Sequence, residues 1–166
     1  MVKRIMTFVL IYFCFNAFGN NKLLLNSIEK RTAEYSKIAK NIWEYAEVGY
    51  KEEKSSKELI NLLEKNGFKI NKGVAGIPTA FVAEYNRGGS VIAILGEYDA
   101  LPGLSQTTST KKTKREGTNS GHACGHNLFG VASAAAAISI KEWLDESKKE
   151  GTVRFYGCPA EEGGSG

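Results

Sequence analysis

The run Val91-Ile92-Ala93-Ile94-Leu95-Gly96-Glu97-Tyr98-Asp99-Ala100-Leu101-Pro102-Gly103 decides how this chain reads. Five apolar residues in succession describe a strand covered on both faces. The strand leads into two acids, and Ala100-Leu101-Pro102 bends the chain directly after Asp99 and fixes its direction. The carboxyl end of such a strand is where open α/β folds place their ligands.

Working outward from it, Phe68–Asn71 and Thr79–Tyr85 are further strands. The turn Asn86-Arg87-Gly88-Gly89 joins Thr79–Tyr85 to Val91–Tyr98 and predicts a hairpin or a tight neighbour pair. Upstream, Ile28, Tyr35, Ile38, Ile42 and Tyr45 recur at three- and four-residue steps, predicting an amphipathic helix over Ser27–Val48. A second helix runs from about Glu52 to Asn66, with Leu59, Ile60, Leu62 and Leu63 inside and Gly67 as its stop. Downstream, Ser105–Ser120 is a polar loop without periodicity. Asn127–Lys148 is a helix with Ala132 and Ala134–Ala137 as a close-packing surface, and Gly151–Cys158 is a strand closed by Pro159. Strands alternating with helices predict an α/β domain with a mixed central sheet flanked by helices.

Composition narrows the functional classes. The chain has 166 residues, 42% hydrophobic and 24% charged, with three prolines, as in a globular domain rather than a disordered one. The net charge of +4 is concentrated in Lys111, Lys112, Lys114 and Arg115, a solvated loop without the basic, aromatic-bearing face of a nucleic-acid binder. Residues 1–19 have a different build. Lys3 and Arg4 precede an apolar run from Ile5 to Phe15, and Ala17 and Gly19 supply the small residues of a cleavage site, which predicts a signal peptide and a periplasmic or secreted protein. Without cleavage the expectation is cytoplasmic. The run is too short for a stable membrane span. Cleavage leaves Cys124 and Cys158, which could form a disulfide, unless a metal claims Cys124.

Three segments carry the chemistry. The first ends in Glu97 and Asp99; the second is Gly121-His122-Ala123-Cys124-Gly125-His126-Asn127; the third is Cys158-Pro159-Ala160-Glu161-Glu162-Gly163-Gly164-Ser165-Gly166. A thiolate and an imidazole two apart, with Gly125 between them to let the backbone turn, can point at one divalent ion. The following helix N-terminus is expected to favour the ionised thiol. Glu161 and Glu162 repel each other unless a cation intervenes. In an extended segment they face opposite ways, so one could hold metal while the other accepts a proton from water. Asp99 is placed to orient a ligand or to hold the metal.

Together, in this order and spacing, the segments resemble family twenty of the metallopeptidases, which includes aminoacylases, carboxypeptidases and amidohydrolases, and within it the aminobenzoyl-glutamate hydrolase type. The resemblance runs from about Asn21 to Gly166. It implies an incomplete zinc-peptidase-like catalytic domain over residues 20–166, with two divalent ions, zinc or manganese. Cys124, His126 and Glu162 would be metal ligands, Glu161 the general base and Asp99 the orienting acid. Other branches of the family carry a metal-binding histidine two residues before this Asp; Glu97 stands there and is given no ligand role, nor is His122. The implied substrate is a small amide, an N-acyl or N-aroyl amino acid with p-aminobenzoyl-glutamate as the first to try, and a homodimer or a partner subunit is expected. Family members also carry downstream histidines and a smaller lid or dimerisation domain, so the chain is expected to be the N-terminal part of the catalytic domain, inactive alone. A dipeptidase or aminoacylase, or a noncatalytic remnant, are the alternatives.

Overall fold

The computed structural model describes residues 22–163; the signal-like segment 1–19 lies outside them. A helical segment at residues 22–29 precedes α1 (Thr32–Tyr45) and α2 (Glu53–Lys65). Then follow β1 (Lys69–Lys72), β2 (Phe81–Asn86), β3 (Val91–Glu97), the short pair β4 (Leu101–Pro102) and β5 (Ser120–Gly121), α3 (His126–Ser147) and β6 (Thr152–Cys158). The single helix expected over Ser27–Val48 is thus broken at residues 30–31. There the Arg31 guanidinium turns back onto the Ser27 carbonyl and pairs with Glu142 of α3.

Each helix buries the stripe its spacing announces. Tyr35, Ile38, Ala39 and Ile42 of α1 and Leu59, Ile60, Leu62 and Leu63 of α2 enter one core with Val131, Ala134 and Ile138 of α3. The α1 helix stops where Ala46 turns left-handed and its N–H returns to the Ile42 carbonyl. At α2 the stop is Gly67, at φ +88°, with the Phe68 N–H reaching the Leu63 carbonyl. The start of α2 is satisfied from outside: the Glu47 carboxylate accepts from the Ser55 N–H at 2.8 Å and the Lys54 N–H at 3.1 Å, donors that an α-helix leaves without internal partners.

The main sheet has the order β1-β2-β6-β3, with β6 antiparallel to β2 and parallel to β3. The mixed α/β architecture is as expected; the direct pairing of β2 with β3 is not. The strand β6 lies between them, with Phe155 opposite Ala83 on one side and Ile94 on the other. The Asn86–Gly89 turn spans that inserted strand, helped by positive φ at Gly88 and Gly89. The turn holds the start of β6 through Arg87 N–H to the Gly151 carbonyl and Thr152 N–H to the Ser90 carbonyl. Insertion is favoured because β6 alternates buried Val153 and Phe155 with half-buried Arg154 and Tyr156. Its Gly157 leaves room for the Phe81 ring, which a Cβ there would meet at 2.2 Å.

The strand β3 is not covered on both faces as its composition suggests. Among the described residues it pairs only with β6, and Val91, Ile92 and Leu95 are each more than half exposed. The helices pack on the face that carries Ile94 and Gly96, and on it Ile94 meets the core. Among the described residues no helix is long and apolar enough to cross a membrane.

One contact sets where α3 begins. A Cβ on Gly130 would lie 2.4 Å from the Glu97 carbonyl oxygen, and one on Gly96 would lie 2.4 Å from the Phe155 ring and 3.4 Å from the Gly130 Cα. Two glycines therefore let the first turns of α3 lie directly on the end of β3, bringing His126 over the strand terminus. Gly130→Ala is expected to push the helix off that carbonyl and destabilise the chain by about 1–3 kcal/mol, read as a lower urea midpoint at unchanged slope.

Candidate metal centre

The parallel neighbours β3 and β6 end side by side, with Glu97 in register with Cys158. Asp99 follows the first strand and Glu161 and Glu162 follow the second, while α3 starts between them at His126. Gly125, at φ +95°, is the residue before the helix. Its conformation, which a side chain would oppose, turns the chain between Cys124 and His126 as their spacing predicts.

The three segments converge on the His126 ring, which is buried. Its Nδ1 lies 2.8 Å from Asp99 Oδ1 and 3.7 Å from Glu162 Oε1. Its Nε2 lies 2.9 Å from Glu97 Oε2 and 3.6 Å from Glu161 Oε2. Asp99 is fully buried, and its other oxygen accepts the Glu162 backbone N–H at 2.9 Å. One carboxylate thus holds both the imidazole and the acid turn. Two groups of potential ligand atoms result, each with all atoms within 4.8 Å of one another: Cys124, His126 and Glu162, and Glu97, His126 and Glu161. In the tautomer whose Nδ1–H donates to Asp99, the Nε2 lone pair is the one free for a cation, and it faces Glu97 and Glu161.

The structure therefore gathers every site residue expected from sequence: Asp99, Cys124, His126, Glu161 and Glu162. It adds Glu97, to which the sequence reading gives no role. The signal that could have found Glu97 is its period-two spacing from Asp99 along an extended chain. His122 is buried but looks elsewhere: its Nε2 lies 3.0 Å from the Ile42 carbonyl, and its Nδ1 has no partner among the described residues. Burial pushes its pKa down, so it stands as a neutral packing residue. Both Cys124 and Cys158 are free thiols, the first exposed.

Two local expectations need correction. Glu161 and Glu162 are not in an extended segment; they start a 3₁₀ turn over Glu161–Gly163, closed by Gly163 N–H to the Ala160 carbonyl. The two acids still diverge, one toward each ring nitrogen, because the turn wraps around the imidazole edge. Nor is Cys124 held as thiolate by the helix end. Desolvation first, then the charges of Glu162 and Glu161, push its pKa up. Burial likewise raises the Glu97 pKa; the His126 ring opposes the shift, and Glu161, Asp99 and Glu162 add to it. Among the described residues no lysine or arginine is ion-paired with any of these four acids; the only ion-pair partner of each is His126.

Two outcomes follow from this electrostatic arrangement. Because folded Glu97 binds its proton more tightly than unfolded Glu97, its contribution to stability falls as pH rises from the ordinary carboxylate range through the folded pKa. Glu97→Gln should flatten that fall in thermal melts of the metal-free chain. Asp99→Ala leaves the His126 ring and the Glu162 N–H without their shared acceptor, and should weaken binding of a divalent cation about 10- to 100-fold, measured by competitive chelator titration.

Residues 93–166 match Peptidase family M20/M25/M40. The chain is 48% identical over 142 residues to one of the subunits of p-aminobenzoyl-glutamate hydrolase of Escherichia coli, covering 85% of this chain and 30% of that protein. It is 31% identical over 151 residues to Xaa-Arg dipeptidase of Mus musculus, covering 84% of this chain and 31% of that protein. Among solved structures, a dinuclear metal-binding peptidase from Bacillus subtilis superposes with a TM-score of 0.68 at 28% identity, over 81% of this chain and 36% of that one. The chain spans about a third of the length of these relatives. The superposed fold and the sequence matches lead to one assignment: the chain belongs to Peptidase family M20/M25/M40.

Proposed function

We propose that the whole protein is a metal-dependent amidohydrolase that cleaves the amide bond of an N-acyl or N-aroyl amino acid, with p-aminobenzoyl-glutamate as its first candidate substrate. The observation that carries this reading is the placement of four carboxylates and a thiol around one buried imidazole, with no lysine or arginine paired to them among the described residues. So much uncompensated negative charge at one strand end is costly, and divalent cations would relieve it. The donor set of sulfur, nitrogen and oxygen suits zinc or manganese.

Two such ions, when bound, would polarise the amide carbonyl and acidify water. Cys124, His126 and Glu162 would hold them, and the near contact of Glu97 with Nε2 makes it a candidate for the same task. Asp99 fixes the ring tautomer from Nδ1. Glu161, about half exposed at the mouth of the site, would accept the proton of the attacking water and pass it to the departing amine nitrogen. The water oxygen then bonds to the carbonyl carbon, the C–N bond breaks, and the products are a carboxylate and a free amino acid. Similarity to a protein that is itself one subunit of a hydrolase supports a partner subunit, with a homodimer as the competing arrangement. The signal-like residues 1–19 favour a periplasmic or secreted location.

A dipeptidase is the second reading, favoured by similarity to a protein named Xaa-Arg dipeptidase. Side-by-side hydrolysis of an aroyl-glutamate, an N-acetyl amino acid and a dipeptide by the whole protein, loaded with zinc or manganese, separates the two. In the same assay Glu161→Ala should lower kcat about 10²- to 10⁴-fold while metal content is retained. A mutant as fast as its parent removes Glu161 from the mechanism.

A further inference from the structure

Among the described acids of this chain, Glu52 is buried most completely without a role in the site above. It has no exposed surface, and among the described residues no lysine or arginine side chain pairs with it. Its Oε1 accepts the Ala160 backbone N–H at 2.8 Å, and its Oε2 accepts the Thr79 hydroxyl at 3.0 Å. The Thr79 carbonyl in turn accepts the Tyr98 phenol at 2.6 Å. Ala160 immediately precedes Glu161, and Tyr98 immediately precedes Asp99. A buried chain of hydrogen bonds, Tyr98 to Thr79 to Glu52 to Ala160, therefore ties together the two strand ends that present the acids. Burial, then the charge of Glu52, push the Tyr98 pKa well above its ordinary value, so the phenol remains a donor across the working pH range.

The same short segment grips the site from a second direction. Ala160 sits at φ +61°, a left-handed conformation that side chains disfavour. It abuts Gly49, where a Cβ would stand 2.9 Å from the Ala160 Cβ. Between Gly49 and the end of α1, the Glu47 carbonyl accepts the Ala100 N–H at 2.8 Å and Val48 bridges Ala100. Residues 47–52 thus contact the chain just after Asp99 and just before Glu161. Glu52 is itself anchored, since it is the residue that opens α2 and its carbonyl accepts the Ser56 N–H. A leucine of similar size would leave the Ala160 N–H buried and unpaired, and the strained residue would lose its tie to the start of α2.

We propose that Glu52 is a positioning residue for metal binding, acting with Gly49 as a clamp that sets the Glu161–Glu162 turn against Asp99. The clamp rests on the metal-centre reading above, and its test separates the two. Cobalt(II) alone is titrated into the full chain, and the thiolate-to-cobalt charge-transfer absorption and the ligand-field bands are followed, with Cys124→Ser as the control that lacks the first. Glu52→Leu should weaken cobalt binding about 10- to 100-fold and alter the ligand-field bands while far-ultraviolet dichroism stays native. Glu52→Gln, which can still accept from Ala160 and donate to Thr79, should recover most of the loss. Gly49→Ala, which presses on Ala160 from the other side, should change the spectrum in the same sense, and it decides the matter if Glu52→Leu fails to fold. Wild-type affinity and spectrum in Gly49→Ala and in a folded Glu52→Leu, whatever their melting temperatures, would overturn the clamp and leave the metal centre standing. Absence of any cobalt spectrum in the parent chain would overturn both.

Discussion

The Asp99 carboxylate is the junction on which the site depends. It is fully buried, and its two oxygens hold the His126 ring and the Glu162 backbone N–H. Three segments distant in sequence, the end of β3, the start of α3 and the turn after β6, meet through that one group. Sheet pairing and helix packing bring these segments near one another, and Asp99 links the imidazole directly to the acid turn. A carboxylate suits this place because it accepts from two directions at once, and charge-assisted hydrogen bonds are stronger than neutral ones.

Around that junction the protein accumulates negative charge rather than balancing it. Elsewhere several acids are answered by cations: Glu142 by Lys30 and Arg31, Asp145 by Arg87 and Lys141, Glu84 by Arg154. At the strand ends Glu97, Asp99, Glu161 and Glu162 have only His126 as an ion-pair partner among the described residues. Burial first, and then the neighbouring acids, raise the pKa values of Glu97 and Cys124. A site that must shed protons to bind a cation couples metal affinity to pH, and here the coupling is built from side chains that the fold forces together.

Close packing makes the convergence possible. Gly96 and Gly130 let α3 rest on the carbonyl of Glu97, and Gly157 admits the Phe81 ring against β6. These glycines lack side chains because another group already fills the space. The buried network through Tyr98, Thr79 and Glu52 then sets the spacing of the two strand ends from beneath. Rigid support under a strand terminus is the physical means by which loop residues can hold a ligand geometry.

Much of this was legible in the chain alone. Apolar patterning placed α2, α3 and the strands β1, β2, β3 and β6 close to their observed ends, since burying one face of each element is a local, repeating requirement, although it ran α1 together with the helical turns before it. The candidate site residues Asp99, Cys124, His126, Glu161 and Glu162 were legible because short motifs at element ends carry them. What required the folded chain was everything that depends on which elements become neighbours. The turn at Asn86–Gly89 pointed to a β2–β3 pair, but β6, encoded far downstream, takes the place between them, because pairing is settled by competition over the whole sheet. The approach of Glu97 to His126, the lifted thiol of Cys124, the 3₁₀ turn of the acid pair and the grip of Glu52 on Ala160 share the same origin. Each is set by distances across the fold, which hydrogen bonding and burial determine and residue order does not state.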